Sequence, residues 1–162
     1  MSARQSDPVT GLYRTLLAFA AIGIVLLTAG LIEFAHFEPI ANSGLHARIV
    51  GVYRYDTATG QTSGANTQTF ARADDFAAVV DWSGLPDKIT VQALWYDGFQ
   101  NIVGSVGPGH PSELRDHTTI PADVPPDLKF HLPGEYIFAI ERIVDGQPVE
   151  VLARRLVEVE RS

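Results

Sequence analysis

The sequence predicts an all-β protein: an antiparallel β-sandwich of seven to eight strands, preceded by one transmembrane α-helix. Three observations predict it. Residues 16–32 form an apolar run without a single charge. Beyond residue 45 the chain breaks into short runs rich in Val, Ile, Tyr, Phe and Trp, each bounded by turn residues. None of those later runs has the length and 3.6-residue period of an amphipathic helix.

Composition sets the frame. The 162 residues allow one ordinary domain and a short extra element. Hydrophobic residues make up 46% and charged ones 19%, which is too apolar for a disordered chain. The formal net charge of −7 argues against a nucleic-acid partner, which requires a basic face. Cysteine is absent, which excludes disulfides, thiolate metal sites, iron–sulfur clusters and thiol nucleophiles.

The first element is the expected anchor. The run LLAFAAIGIVLLTAGLI holds 17 residues. As a helix it covers about 26 Å, against about 30 Å for a bilayer core. Tyr13 and Phe34 extend it into the interfaces, giving a transmembrane helix over 15–35. Residues 1–14 carry Arg4 and Arg14 against Asp7, whereas 10 basic and 18 acidic residues follow the run. The positive-inside tendency places 1–14 as a cytoplasmic tail and puts the rest of this single-pass chain on the periplasmic or extracellular side of the cell membrane. A cleaved signal peptide is the rival reading, but its apolar core is about 7–15 residues long. Ala20, Gly23, Leu27 and Gly30 fall on one helical stripe. Small residues there let a second membrane helix approach closely, so the stripe is the expected helix-packing interface. No titratable side chain lies in the run, so it offers no proton relay and no metal ligand at mid-membrane.

A linker over 36–46 leads into the outer domain, 47–162. Strands are expected at 47–55, 67–71, 76–82, 89–96, 101–106, 128–132, 135–144 and 149–159. Their alternation indicates which face is buried. Phe76, Ala78, Val80 and Trp82 point one way, as do Ile89, Val91, Ala93 and Trp95. Val149, Val151 and Ala153 form an apolar face opposite Glu150 and Arg154. The phase slips near Arg155, where a β-bulge is expected. Asp145-Gly146 between two strands is a strong hairpin signal. The 57–67 stretch, TATGQTSGANT, contains only small and polar residues and is expected to be a mobile hairpin tip.

The run Leu132-Pro133-Gly134-Glu135-Tyr136-Ile137-Phe138 resembles the start of the penultimate strand of immunoglobulin-like and fibronectin-like domains. The resemblance covers about residues 46–160. It makes Tyr136 the tyrosine of the tyrosine corner. It also places Val80 and Phe138 where antibody-type domains carry their two cysteines, and Trp95 where they carry the core tryptophan. It implies an immunoglobulin-like sandwich with these aromatics packed in its core.

Catalytic motifs are not found. Ser105 lies in Val103-Gly104-Ser105-Val106-Gly107, but a nucleophile elbow needs Gly two positions before the Ser, and no helix follows. Gly104, Gly107 and Gly109 are interrupted by Pro108 and Pro111, so no phosphate cradle forms. His110, Glu113 and His117 are the best metal-ligating candidates, two imidazoles and a carboxylate within eight residues. Their spacing is not that of a helical zinc motif, and the reading assigns no metal and no cofactor. Asp74, Asp75, Asp81 and Asp97 are read as solvated carboxylates rather than a catalytic pair.

The 107–127 segment reads as a 21-residue connection without regular structure, stiffened by prolines. Long connections of this kind are often binding surfaces. Pro108, His110, Pro111, Glu113, Arg115, His117, Pro121 and Pro125 are its candidate partner-docking residues. The expectation is therefore a non-catalytic accessory or structural subunit of a larger membrane protein complex, by analogy a respiratory or photosynthetic one. Its partners would be integral membrane subunits and the lipid bilayer, with no nucleic acid and no small-molecule substrate. The alternative is a membrane-anchored ligand-binding or metal-handling module.

Overall fold

The computed structural model describes residues 41–161, together with Phe19 and Ala20. The chain divides between Glu38 and Pro39 into two units. Of the first unit only Phe19 and Ala20 are described; both are helical and exposed. The expected tail, most of the expected membrane helix, and Gly23, Leu27 and Gly30 lie outside the described residues. Among the described residues no helix is long and apolar enough to cross a membrane.

Among the described residues the second unit is all-β and holds nine strands: β1 (Arg48–Asp56), β2 (Gln61–Ser63), β3 (Thr69–Phe70), β4 (Phe76–Asp81), β5 (Thr90–Tyr96), β6 (Ile102–Gly109), β7 (Thr119–Pro121), β8 (Gly134–Val144) and β9 (Gln147–Val159). They form two sheets, a four-stranded one ordered β2-β1-β4-β7 and a five-stranded one ordered β3-β9-β8-β5-β6. Seven or eight antiparallel strands were expected. Short β2 and β7 raise the number, and β3 pairs with β9 in parallel. The expected strand at 128–132 is absent. Prolines at 125, 126 and 133 bracket it, and its bonds form no ladder: Leu128 N–H donates to Pro125 O at 2.9 Å within a turn, His131 N–H donates to Arg72 O at 3.1 Å, and the Arg72 side-chain Nε–H donates to His131 O at 3.0 Å.

The alternation of β4 and β5 follows the sequence. Phe76, Ala78, Val80 and Trp82 are buried, as are Val91, Ala93 and Trp95, and these two faces meet in the core. Phe76 lies at the centre. It stacks on Phe70 at 4.7 Å and meets Trp95 and Tyr136 edge-on at 5.3 and 5.5 Å, geometries that aromatic quadrupoles favour. Phe138 pairs directly across from Trp95, with ring centroids 5.0 Å apart.

The phase of β9 differs from the expectation. Glu150 and Leu152 face inward and are buried, while Val149 and Val151 are only half-buried. The β8–β9 register slips twice, at Leu152 and at Val149, and not at Arg155. A bulge lets the neighbours Leu152 and Ala153 both pack toward the core. Burying a carboxylate at 150 is possible because it is satisfied. It accepts Ser43 N–H at 2.6 Å, Ser43 O–H at 2.9 Å and Arg142 Nε–H at 2.8 Å.

Both flanks of the sandwich are closed. On one flank Asp123 N–H donates to Val103 O, and Trp95 Nε1–H donates across the sheets to Ile120 O at 2.9 Å. Gly104 of β6 lies so close to Pro121 of β7 that a Cβ there would collide with the Pro121 carbonyl. On the other flank the segment before β1 lies along β9, with Ala41 N–H donating to Val149 O at 3.0 Å and Ala47 N–H to Leu152 O at 3.2 Å. Residues 41–46, expected as linker, are therefore bonded to the sandwich.

Candidate functional site

Strand direction assigns every loop to one of two ends. Ala41 joins beside Val149, next to the β8–β9 turn, and this defines the near end. The turn itself has φ of 53° at Asp145 and 76° at Gly146, the pair of positive angles that a two-residue hairpin requires. The segments following β4 and β6 also lie at the near end, because Asp81 pairs with Arg48, and Gly109 with Val91. The β5–β6 turn and residues 122–133 lie at the far end. The β5 strand that separates the ends is about 20 Å long.

This geometry divides the expected docking segment. Pro108 is within β6 and Pro121 within β7. His110, Pro111, Glu113, Arg115 and His117 lie at the near end, whereas Pro125 is at the far end. The eight residues do not form one surface. The near-end part is an ordered turn rather than an open loop. The Glu113 carboxylate accepts His110 N–H at 2.8 Å, and Asp87 accepts Ser112 N–H at 2.9 Å. The His110 ring nitrogen Nδ1 lies 3.0 Å from Ile89 O, and His117 O accepts Trp82 Nε1–H at 3.1 Å. His110, Glu113 and His117 do not converge. Among the described residues no group of three His, Asp or Glu side chains is placed to hold a metal ion.

The 57–67 stretch does form a hairpin, with exposed turn residues at 57–60. Its β2 pairs with the end of β1, and Asn66 Oδ1 accepts Val52 N–H at 3.0 Å. Gly51 leaves the space that Asn66 and the Tyr53 ring occupy.

His131 is fully buried in the core. Its ring lies 4.7 Å from Phe76 and 5.7 Å from Tyr136. Among the described residues neither ring nitrogen has a hydrogen-bond partner, and an Asp75 carboxylate oxygen lies 3.9 Å from Nε2. Burial lowers the His131 pKa and Asp75 opposes it, leaving the ring less basic than an ordinary histidine. Tyr136 is at the expected position, but its buried hydroxyl makes no hydrogen bond of full geometry. Burial raises the phenol pKa, and the Leu132 amide beside it acts in the opposite direction without forming a well-aligned corner bond.

The far end carries a cleft of about 920 Å³ between the start of β6 and residues 123–128. Ile102, Val124, Pro125 and Leu128 supply apolar wall, and Asp97, Asp123 and Asp127 supply carboxylates. Asp97 is satisfied internally. Its Oδ1 accepts Phe99 N–H and Asn101 N–H, and its Oδ2 accepts Asn101 Nδ2–H, all at 2.9 Å. Burial raises the Asp123 pKa. Four large apolar side chains are exposed at this end: Phe99, Ile102, Leu128 and Phe130. Sequence reasoning missed this cleft, because its walls come from segments separated by the whole near-end turn and β7, which the fold alone brings together. Pro125-Pro126 was the one local signal.

Compared with known proteins, the chain matches no family model, no curated protein and no solved structure significantly.

Proposed function

We propose that this chain is a non-catalytic accessory subunit of a larger membrane protein complex, anchored by a helix over 15–35 and docking its sandwich on partner subunits. The observation that carries the reading is the far-end group of exposed apolar side chains on a domain that buries its other phenylalanines and tryptophans in one core cluster. The apolar run at 16–32 supports it from the sequence side. The nine steps from Ile32 to Ala41 span about 32 Å at most, so a sandwich on this tether meets membrane neighbours first.

We also infer an immunoglobulin-like sandwich. The order β1-β4-β7 against β6-β5-β8-β9 supports it, since the chain then crosses between sheets after β4 and again after β7, as in that fold. Trp95 against Phe138 supports it as well.

The test is purification of the full chain from its native membrane in mild detergent, with mass spectrometry of whatever co-migrates. A stoichiometric complex of integral membrane subunits is expected. A chain that runs alone, or that remains in the aqueous fraction when membranes are pelleted, would overturn the reading.

A further inference from the structure

The far-end cleft combines features that together select an occupant. Its walls are apolar and open: Ile102 is 59% exposed and Leu128 38% exposed. Its lining contains three carboxylates and no Lys, Arg or His. The neighbouring lysine, Lys129, lies over the Phe130 ring, 5.3 Å from its centroid. Asp97 is spent on the β5–β6 turn, but no hydrogen bond or ion pair to the carboxylates of Asp123 and Asp127 is found among the described residues. Asp123 and Asp127 are exposed beside this apolar wall, and their charge is complemented by a cation that brings its own apolar flanks.

We propose that this cleft receives an extended segment of a partner protein in which an arginine or lysine is flanked by apolar residues. The cation pairs with Asp123 and Asp127, and the flanking side chains cover Ile102, Val124 and Leu128. Prolines 125 and 126 stiffen the receiving wall, so little ordering cost remains on docking. The charge of the cleft argues against an acidic segment, and its apolar rim argues against a free inorganic cation. The inference rests on the docking reading above and adds where the partner touches and what its chemistry is.

The experiment uses the full chain in a non-ionic detergent with labelled Ile, Leu and Val methyl groups, so that Ile102, Val103, Val124 and Leu128 report from the cleft itself. The probe is the peptide acetyl-Leu-Pro-Arg-Leu-Pro-amide, beside its uncharged citrulline counterpart. Saturable shifts confined to the cleft methyls are expected with the arginine peptide. Replacing arginine by citrulline, or substituting Asp123→Asn together with Asp127→Asn, should weaken binding about tenfold, equivalent to about 1.4 kcal/mol. The core methyl signals of the double variant should stay unchanged, which separates lost binding from lost folding. Equal binding of the two peptides would overturn the cationic assignment, and no saturable cleft shift would overturn the cleft as a site. The titration needs no complex, so it can fail while the co-purification succeeds, and the reverse.

Discussion

At the scale of single residues, the buried polar atoms of His131 and Tyr136 are the most informative. A tyrosine whose hydroxyl completes a corner bond loses about 1–1.5 kcal/mol on conversion to phenylalanine. Here the Tyr136 hydroxyl is buried without a well-aligned partner. Tyr136→Phe should therefore cost less than that, leaving stability within about 0.5 kcal/mol of the parent, because only the poorly aligned contact with the Leu132 amide is lost. Urea denaturation of parent and variant checks this. His131 gives a pH dependence whose sign is fixed by its lowered folded-state pKa. The unfolded chain binds the proton more tightly than the native ring does. The stability associated with a neutral His131 is thus complete above about pH 6.5 and is lost as pH falls from there toward the lower native value. Asp75, 3.9 Å away, moderates the loss without removing it. Melting temperature recorded from pH 8 to pH 5 should fall more steeply for the parent than for His131→Phe, which keeps a ring against Phe76 and Tyr136 and cannot titrate.

At the scale of elements, stability depends on the places where strands of different sheets meet. Gly104 is such a place, since β6 passes Pro121 with no room for a side chain. Gly104→Ala should cost about 2–3 kcal/mol, because the atoms it would displace are backbone and do not swing aside. The Trp95 to Ile120 hydrogen bond lies on the same flank and should be weakened with it, visible as faster exchange of the indole proton. The other flank depends on Glu150. Its bonds to Ser43 and Arg142 outweigh the opposing effect of burial and hold its pKa below the usual carboxylate range. Glu150→Gln should cost about 1–2 kcal/mol, and it should expose the Ser43 amide to exchange while the β8–β9 ladder stays protected. Below the ordinary carboxylate range the parent should lose the same contribution, since protonated Glu150 no longer pairs with Arg142.

At the scale of the whole molecule, the sandwich distributes its loops between two ends with different characters. The near-end loops are held by internal bonds from His110, Ser112 and Trp82. The far end presents exposed apolar side chains and a carboxylate-lined cleft. The helix over 15–35 belongs to the same proposal. Gly23→Leu or Gly30→Leu should release the chain from its partners during detergent purification, because a bulky side chain on the Ala20–Gly30 stripe keeps a neighbouring helix from close approach. Unchanged co-purification would reduce that helix to an anchor.

Some features of this protein follow from local chemistry, and the sequence alone determined them. Alternation in β4 and β5 fixed which side chains enter the core, because burial of Phe76, Val80, Val91 and Trp95 admits only one phase. Asp145-Gly146 fixed the hairpin, because few other residue pairs accept two positive φ angles. Other features were decided only by the tertiary structure. Glu150 faces inward because Ser43 and Arg142, distant in sequence or across the ladder, meet it there and outweigh its hydropathy. β7 and β2 exist because neighbouring strands offer them backbone partners that no local propensity announces. The far-end cleft exists because the β5–β6 turn and residues 123–128 are brought together across the flank of the sandwich. Local periodicity records which face a residue prefers, and it carries no information about what the opposite wall will be.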